Sequence, residues 1–397
     1  MQIDPRGFFH LTYCTNIHPG EDWASVEATL RAVGPELKAR VSPHHPFGLG
    51  LRLSALAARE AIEDGRVAAF REFLDAKGLY VAIINGYPYG EFHGAEVKDQ
   101  VFAPDWASVA RLNYTLDLMR VLSGLLPEGM DGGISTMPLS YKPWHRIPAW
   151  DEIVRNLVRL TEAMVGLNRD EGKLIHLDIE PEPDGLIENT AEVIRFYHDW
   201  LLPAGGPLLA NALGMAESEA CELLLEHIRV CFDSCHIAVE YEDPAEALAK
   251  LHAARIRIGR VQLSSALKVN LPDNTSRLAP FADSTYLHQV IEDRGTGLHH
   301  YPDLAQALAA PADPSAKQWR IHFHVPLFTA EYDGFQSTQN DVRAVLALAV
   351  RDRFTSHLEI ETYTWDVLPA ALKLDMLDSI TREFEWVMAE MAALERR

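Results

Sequence analysis

Cysteine is scarce and basic residues are never clustered, and each shortage closes off a class of protein. Cys14, Cys221, Cys231 and Cys235 are the four cysteines of a 397-residue chain and form no CxxC pair, so no disulfide framework is legible. Lys and Arg number 36 against 57 Asp and Glu, a formal charge of −21, with no basic block anywhere. A sequence-independent nucleic-acid surface needs a Lys/Arg stripe, and an anionic membrane surface attracts a polybasic patch. Neither partner is expected. A small anionic substrate stays open, because a few local cations suffice for it. No uncharged apolar stretch approaches the ~18 residues of a membrane span. Asp4 and Pro5 stand where a signal peptide would build its apolar run, which gives the expectation of a soluble, cytoplasmic protein. GxSxG, HExxH and the P-loop are all missing, against a serine hydrolase, a zincin and a P-loop NTPase.

What is present is rhythm. Short β-rich runs occur at Phe8–Cys14, Gly48–Leu53, Leu79–Asn85, Gly132–Met137, Leu174–Glu180, Ile228–Asp233, Ile256–Leu263, Trp319–Val325 and His357–Tyr363. Between them apolar residues recur three and four apart, as in Trp23/Val26/Leu30/Val33/Leu37 and Val109/Leu112/Leu116/Met119. Ile187/Ile194/Tyr197/Leu201 and Val342/Val345/Leu346/Ala349 repeat the pattern, and Leu372–Leu394 reads as a closing helix. Asp22 and Asp105 are candidate helix caps. Such alternation predicts parallel strands with crossover helices, and we read one (β/α)8 TIM barrel over residues 1–397. A doubly wound sheet is the runner-up, but it lacks GxGxxG: Gly48-Leu49-Gly50 runs straight on into a strand-like segment. Residues 265–318 break the rhythm. Their first part, Ser265–Ser315, is rich in Pro, Asp, Asn and Gly and reads as an insertion or lid after strand seven. The strand candidates exceed a barrel's places by one, so either Trp319–Val325 or His357–Tyr363 lies outside it.

In such barrels the chemistry sits where strands end. The fifth ends His176-Leu177-Asp178-Ile179-Glu180-Pro181-Glu182, with residues 176, 178 and 180 on one face. The sixth ends Asp233-Ser234-Cys235-His236, the seventh carries Gln262 and Ser264, and the later runs carry His322/His324 and Glu359/Glu361. Carboxylates and imidazoles converging from several strand ends suit a divalent metal, Mn or Zn where His takes part, with Mg or Co as further choices. Each residue also has a structural reading. Glu180 is as readily a buried ion-pair partner as a ligand, His176 and Asp178 can satisfy one another, His322 reads as a core histidine, and one of Glu359 and Glu361 serves structure. The loops after the first and third strands bring Asn16, His18, Asn85 and His93, with Tyr87, Tyr89 and Phe92 as surfaces for a sugar-like ring. Lys142, Arg146 and Lys268, just past strand ends, are candidates for holding phosphate or carboxylate.

Glu180, the Asp233-x-x-His236 pair and Glu361 resemble the strand ends of xylose-isomerase-like TIM barrels, which include sugar and sugar-phosphate isomerases and epimerases. A closer resemblance is to the EboE family of metabolite traffic proteins. It rests on the strings Leu11–Gly20, Phe47–Ser54, Asn85–Gly90, His322–Pro326 and Glu359–Trp365. The family resemblance implies a sugar- or cyclitol-derived substrate in a secondary-metabolite pathway. The superfamily resemblance implies that Glu180, Asp233 and Glu361 bind metal, that Glu180 and Glu361 are acid and base, and that His236 lies beside the metal or on a substrate hydroxyl. Strand seven departs from the pattern by offering Gln262 in place of His, and His324 is the alternative imidazole if Trp319–Val325 is a barrel strand. Three functions follow: a metal-dependent isomerase or epimerase, a metal-dependent phosphoester hydrolase, or a carrier that binds its metabolite without chemistry.

Overall fold

Parallel strands buried on both faces must be apolar toward the helices that cover them, and seven runs meet that demand in order. These are β1 (His10–Tyr13), β2 (Phe47–Arg52), β3 (Leu79–Asn85), β4 (Gly132–Thr136), β5 (Ile175–Ile179), β6 (Ile228–Asp233) and β7 (Ile258–Leu263). A computed structural model of the chain describes residues 1–4, 6–90, 92, 97–272, 275–282, 284–332, 334–362 and 375–396. After β7 the chain leaves the barrel and builds a second sheet from β8 (Leu267–Asn270), β9 (Val290–Asp293), β10 (Leu298–Tyr301), β11 (Gln318–Ile321), β12 (Glu331–Tyr332) and β13 (Phe335–Ser337). The helix Gln339–Asp352 returns it to β14 (His357–Ile360). The barrel order is β1-β14-β7-β6-β5-β4-β3-β2, parallel at each junction, and a parallel bridge from Cys14 to Gly50 joins β1 to β2. This is the (β/α)8 barrel the rhythm predicts. Among the described residues no helix is long and apolar enough to cross a membrane.

The interior is unusual for its charge. His176, Asp178 and Glu180 alternate along β5 and its end, while Leu177 and Ile179 join the apolar layer under the helices. Half-way along the barrel, Arg260 of β7 donates from Nε to Asp178 Oδ2 at 3.1 Å, from Nη1 to Glu359 Oε2 at 3.0 Å and from Nη2 to the Ile84 carbonyl at 3.1 Å. All three charged side chains are fully buried. Two glycines make the space they occupy: a Cβ at Gly259 would overlap Asp178 Oδ1, and one at Gly50 would overlap Glu359 Oε1. Glu359 therefore serves structure, and His176 and Asp178 satisfy one another, with Nδ1 2.5 Å from Oδ1.

Several expectations need correction. Of the two runs left open, Trp319–Val325 is the one outside the barrel, as one of them had to be: Gln318–Ile321 pairs antiparallel with β8 and β9, and residues 322–325 continue irregularly toward the barrel mouth. The stretch read as an irregular insertion carries β8, β9, β10 and the short helix Leu304–Ala309. Its strands are four residues long and broken by turn formers, which hides them from a periodicity test. Asp22 does cap the helix Trp23–Val41, accepting from Ser25 N–H at 2.8 Å. The helix Val109–Leu125 is capped instead by Ser108, while Asp105 accepts from the Ala107 N–H and the Ser140 hydroxyl. Ile187 precedes its helix, which starts at Thr190 and widens over Phe196–Leu201 into a π-helical stretch before Leu202–Leu213. The closing helix runs Met376–Glu395, and residues 372–374 of the expected span lie outside the described residues.

Removing the one cation between two buried carboxylates leaves an uncompensated charge, which costs about 3–5 kcal/mol. Arg260→Met is expected to lose stability of that order in urea unfolding. A loss below ~1 kcal/mol would show that the axial ion pairs carry no weight in the fold.

Candidate active site

The C-terminal ends of the strands deliver a dense set of polar side chains to one opening. Asp233, the last residue of β6, caps the helix Ser234–Val239: its Oδ1 accepts from the Cys235 N–H at 2.7 Å, the His236 N–H at 3.1 Å and the Ser264 hydroxyl at 2.6 Å. That pins the carboxylate and leaves Oδ2 buried with no hydrogen-bond partner among the described residues. Glu180, one residue past β5, has Oε2 in the same condition. Glu361, one residue past β14, is held by two amides, Asn16 donating to Oε1 at 2.8 Å and Asn85 at 3.2 Å. Oxygens of Glu180, Asp233 and Glu361 lie within 4.8 Å of one another. Gln262 sits opposite Asp233 and Glu359 in register, and its amide favours the ionised forms of Glu359 and Glu361 from beyond hydrogen-bonding geometry.

Three histidines face these acids. Carbonyl oxygens only accept, so His236 donates from Nδ1 to Pro181 O at 3.0 Å, and His324 from Nδ1 to Glu361 O at 3.1 Å. Each neutral ring then keeps its Nε2 lone pair. Asp233, His236 and His324 offer atoms within 4.8 Å of each other, as do Glu182, His236 and His322. His322 meets Gln289 Oε1 at 2.8 Å and His236 Nε2 at 3.1 Å.

Electrostatics divides the acids from the imidazoles. Burial pushes Glu180 well above the ordinary carboxylate value, and Glu361, Asp233 and Glu182 push it further. Glu361 rises for the same reason, with Asp233 and Glu359 as the repelling charges and Asn16 opposing. Glu182 is raised to about 8, mainly by burial. Burial lowers all three histidines, His324 to about 4. Three converging carboxylates, two with bare buried oxygens, beside imidazoles kept neutral, form a donor set that fits a divalent cation. Glu180, Asp233 and Glu361 could hold it, and Asp233 is shared with an adjoining group of His236 and His324.

The opening has a cavity volume of about 60 Å³. Asn16, Asn85, Glu180, Glu182, His236, His322, His324 and Glu361 supply polar lining, and Tyr87, Phe92, Phe102 and Tyr286 supply aromatic walls. Lys98 also lines it, with its ammonium on Asp303 at 2.6 Å and the Tyr286 carbonyl at 2.7 Å.

Of the residues expected here, Glu180, Asp233, Gln262, His324, Glu361, His236, Asn16 and Asn85 come together. Three do not. His18 turns back to the Tyr13 hydroxyl at 3.1 Å and lines a separate shallow groove. Lys142 is drawn to Glu188 at 2.6 Å and Glu192 at 2.9 Å. Lys268 lies on β8 opposite Arg320, in the second sheet. His93 lies outside the described residues. Sequence reasoning missed Glu182, although it continues the parity of Glu180, and it read His322 as core; His322 is buried, but it also faces the opening.

No protein-family model matches the chain and no curated protein matches it, so the EboE resemblance gains no support there. Solved structures similar to it include a probable 3-DHS dehydratase, AsbF, involved in petrobactin synthesis in Bacillus anthracis. It shows 12% identity and a TM-score of 0.43 over 95% of this chain and 98% of that chain. IolI protein with a binding zinc atom shows 10% identity and a TM-score of 0.48 over 97% and 99%. A xylose isomerase domain protein from Alicyclobacillus acidocaldarius shows 11% identity and a TM-score of 0.44 over 98% and 99%.

Glu182 keeps its proton to about pH 8 when folded and to 4.5 at its ordinary value. Between those limits the folded chain binds the extra proton, so this group's contribution to stability falls as pH rises. In the presence of a chelator, Glu182→Gln is expected to gain stability relative to wild type steadily across that window. Urea midpoints measured in parallel check this; a difference that stays constant with pH would contradict the assigned environment.

Proposed function

We propose that the chain is a divalent-metal-dependent isomerase or epimerase acting on a sugar or cyclitol. The observation that carries this reading is the convergence of Glu180, Asp233 and Glu361 within 4.8 Å at the barrel mouth, with bare oxygens on Glu180 and Asp233. A metal ion bound there, Mn or Zn by its donors, supplies Lewis-acid polarisation of an adjacent hydroxyl–carbonyl pair. The chain's residues do the rest. Asn16 and Asn85 fix Glu361 through Oε1 and favour its ionised form, which suits it to take the proton from the carbon next to the carbonyl. Glu180, the acid with a bare oxygen and a raised proton affinity, returns a proton. Return to the same carbon from the other side gives an epimer; return to the neighbouring carbon gives an isomer. His236 is placed to orient a substrate hydroxyl, and Tyr87, Phe92 and Tyr286 pack the ring and keep out water.

Two features bear on the substrate. Of the residues expected to take phosphate, Lys142 is held by Glu188 and Glu192, Lys268 lies in the second sheet and Arg146 is exposed outside the opening's lining, while Lys98 is held by Asp303. An unphosphorylated polyol is therefore favoured over a sugar phosphate, and the phosphoester-hydrolase reading loses its expected anchors. The place of the reaction in a secondary-metabolite pathway rests on the EboE resemblance alone.

The test is exchange of carbon-bound hydrogen with D2O, followed by NMR, for metal-loaded protein offered ketoses, aldoses and keto-inositols. General acid–base groups contribute typically ~10²–10⁴-fold, so Glu361→Gln is expected to fold normally and lose at least 100-fold in exchange, and Glu180→Gln to fold normally and lose at least 100-fold in conversion to epimer or isomer. Wild-type conversion by the Glu180→Gln variant would overturn the mechanism. Metabolite binding without exchange by the metal-loaded wild type would favour the carrier instead.

A further inference from the structure

The floor of the barrel, at the opposite end from the mouth, holds a second set of ligand-type side chains. Asp131 immediately precedes β4, His176 is the second residue of β5, and His357 is the first of β14. Each offers one atom within 4.8 Å of the others. His357 Nε2 lies 3.0 Å from Asp131 Oδ1, and His176 Nε2 lies 3.5 Å from Asp131 Oδ2.

The tautomers are constrained. His176 Nδ1 faces Asp178 Oδ1 at 2.5 Å, so that nitrogen carries the proton, and Nε2 turns toward Asp131 with no hydrogen-bond partner. His176 is fully buried. A lone pair aimed at a carboxylate is repulsive unless a cation, either a second proton or a metal ion, lies between them. An imidazole that donates its far N–H to a carboxylate is the arrangement metal-binding histidines adopt. Arg229 donates to Asp131 Oδ2 at 3.1 Å, which orients the carboxylate with Oδ1 toward His357. Asp131 is 29% exposed at its side chain, so the cluster opens to solvent through it.

We propose that Asp131, His176 and His357 form a second divalent-cation site at the barrel floor, separate from the mouth. Two imidazoles and one carboxylate favour Zn²⁺, with Co²⁺ as its spectroscopic substitute. The site lies beyond the Arg260 ion pairs from the mouth and takes no part in the proposed reaction. It ties the starts of β4, β5 and β14 together.

The test is titration of the metal-stripped full-length chain with Zn²⁺ and with Co²⁺, in a background that disables the mouth, Glu180→Gln with Asp233→Asn and His322→Gln, which breaks each candidate ligand group there. One equivalent of Zn²⁺ is expected to bind, with Co²⁺ giving visible absorption of a nitrogen-ligated ion and Zn²⁺ raising the melting temperature. Adding Asp131→Asn, a near-isosteric change at a partly exposed position, is expected to abolish all three signals while far-ultraviolet circular dichroism stays unchanged. His357→Gln is the second variant. No Zn²⁺ uptake by the folded mouth-disabled protein would overturn the proposal and leave a protonated His176 between two aspartates. So would undiminished uptake after Asp131→Asn. Because the mouth is disabled throughout, neither result bears on the proposed reaction.

Discussion

One guanidinium sets the terms for the interior. A barrel of this size normally fills its core with branched apolar side chains, whereas here Arg260 stands on the axis between Asp178 and Glu359, all three fully buried. Its charge favours the ionised form of both acids against burial, together with His176 at Asp178. The neighbouring strands conform: Gly50 and Gly259 give up their side chains so that the two acids fit. The ion pairs then act as a partition, with histidines and Asp131 below and a carboxylate cluster above.

Above the partition the compensation stops. Glu180, Glu182, Asp233 and Glu361 share the mouth, and the three glutamates hold their protons tightly because burial and neighbouring carboxylates both oppose ionisation. Such an arrangement costs stability in the metal-free chain, and proteins keep uncompensated charge where binding or chemistry repays it. The amides of Asn16 and Asn85 bond Glu361 through Oε1 and leave Glu180 without such donors, an asymmetry on which the proposed division of acceptor and donor rests. Tyr87, Phe92 and Tyr286 wall the opening beside these acids.

The parts legible in the sequence are those governed by a short period. Alternation put Glu180 on one face with His176 and Asp178 and paired Glu359 with Glu361, Asp233 stood at the end of a strand, and the strand-helix rhythm identified the barrel. What escaped depends on contacts distant in sequence. The second sheet pairs four-residue strands across gaps as long as that between Lys268 and Arg320, for which no local pattern exists. Trp319–Val325 looked like a barrel strand because half of it is a strand, in the other sheet; its irregular half still carries His324 to the mouth, where it stands near Asp233. Lys142 looked available because its partners, Glu188 and Glu192, arrive from a later loop and helix. His18 was drawn off by Tyr13, five residues earlier, a local pairing that the sequence did contain.

The central claim is that the mouth carboxylates hold a divalent cation. Crystals of the chain soaked in Mn²⁺ and measured by anomalous diffraction test it directly. A peak within coordination distance of Glu180, Asp233 and Glu361, and absent in Asp233→Asn, is the predicted result. A mouth without an anomalous peak in well-ordered wild-type crystals at saturating Mn²⁺ and again at saturating Zn²⁺ would contradict it.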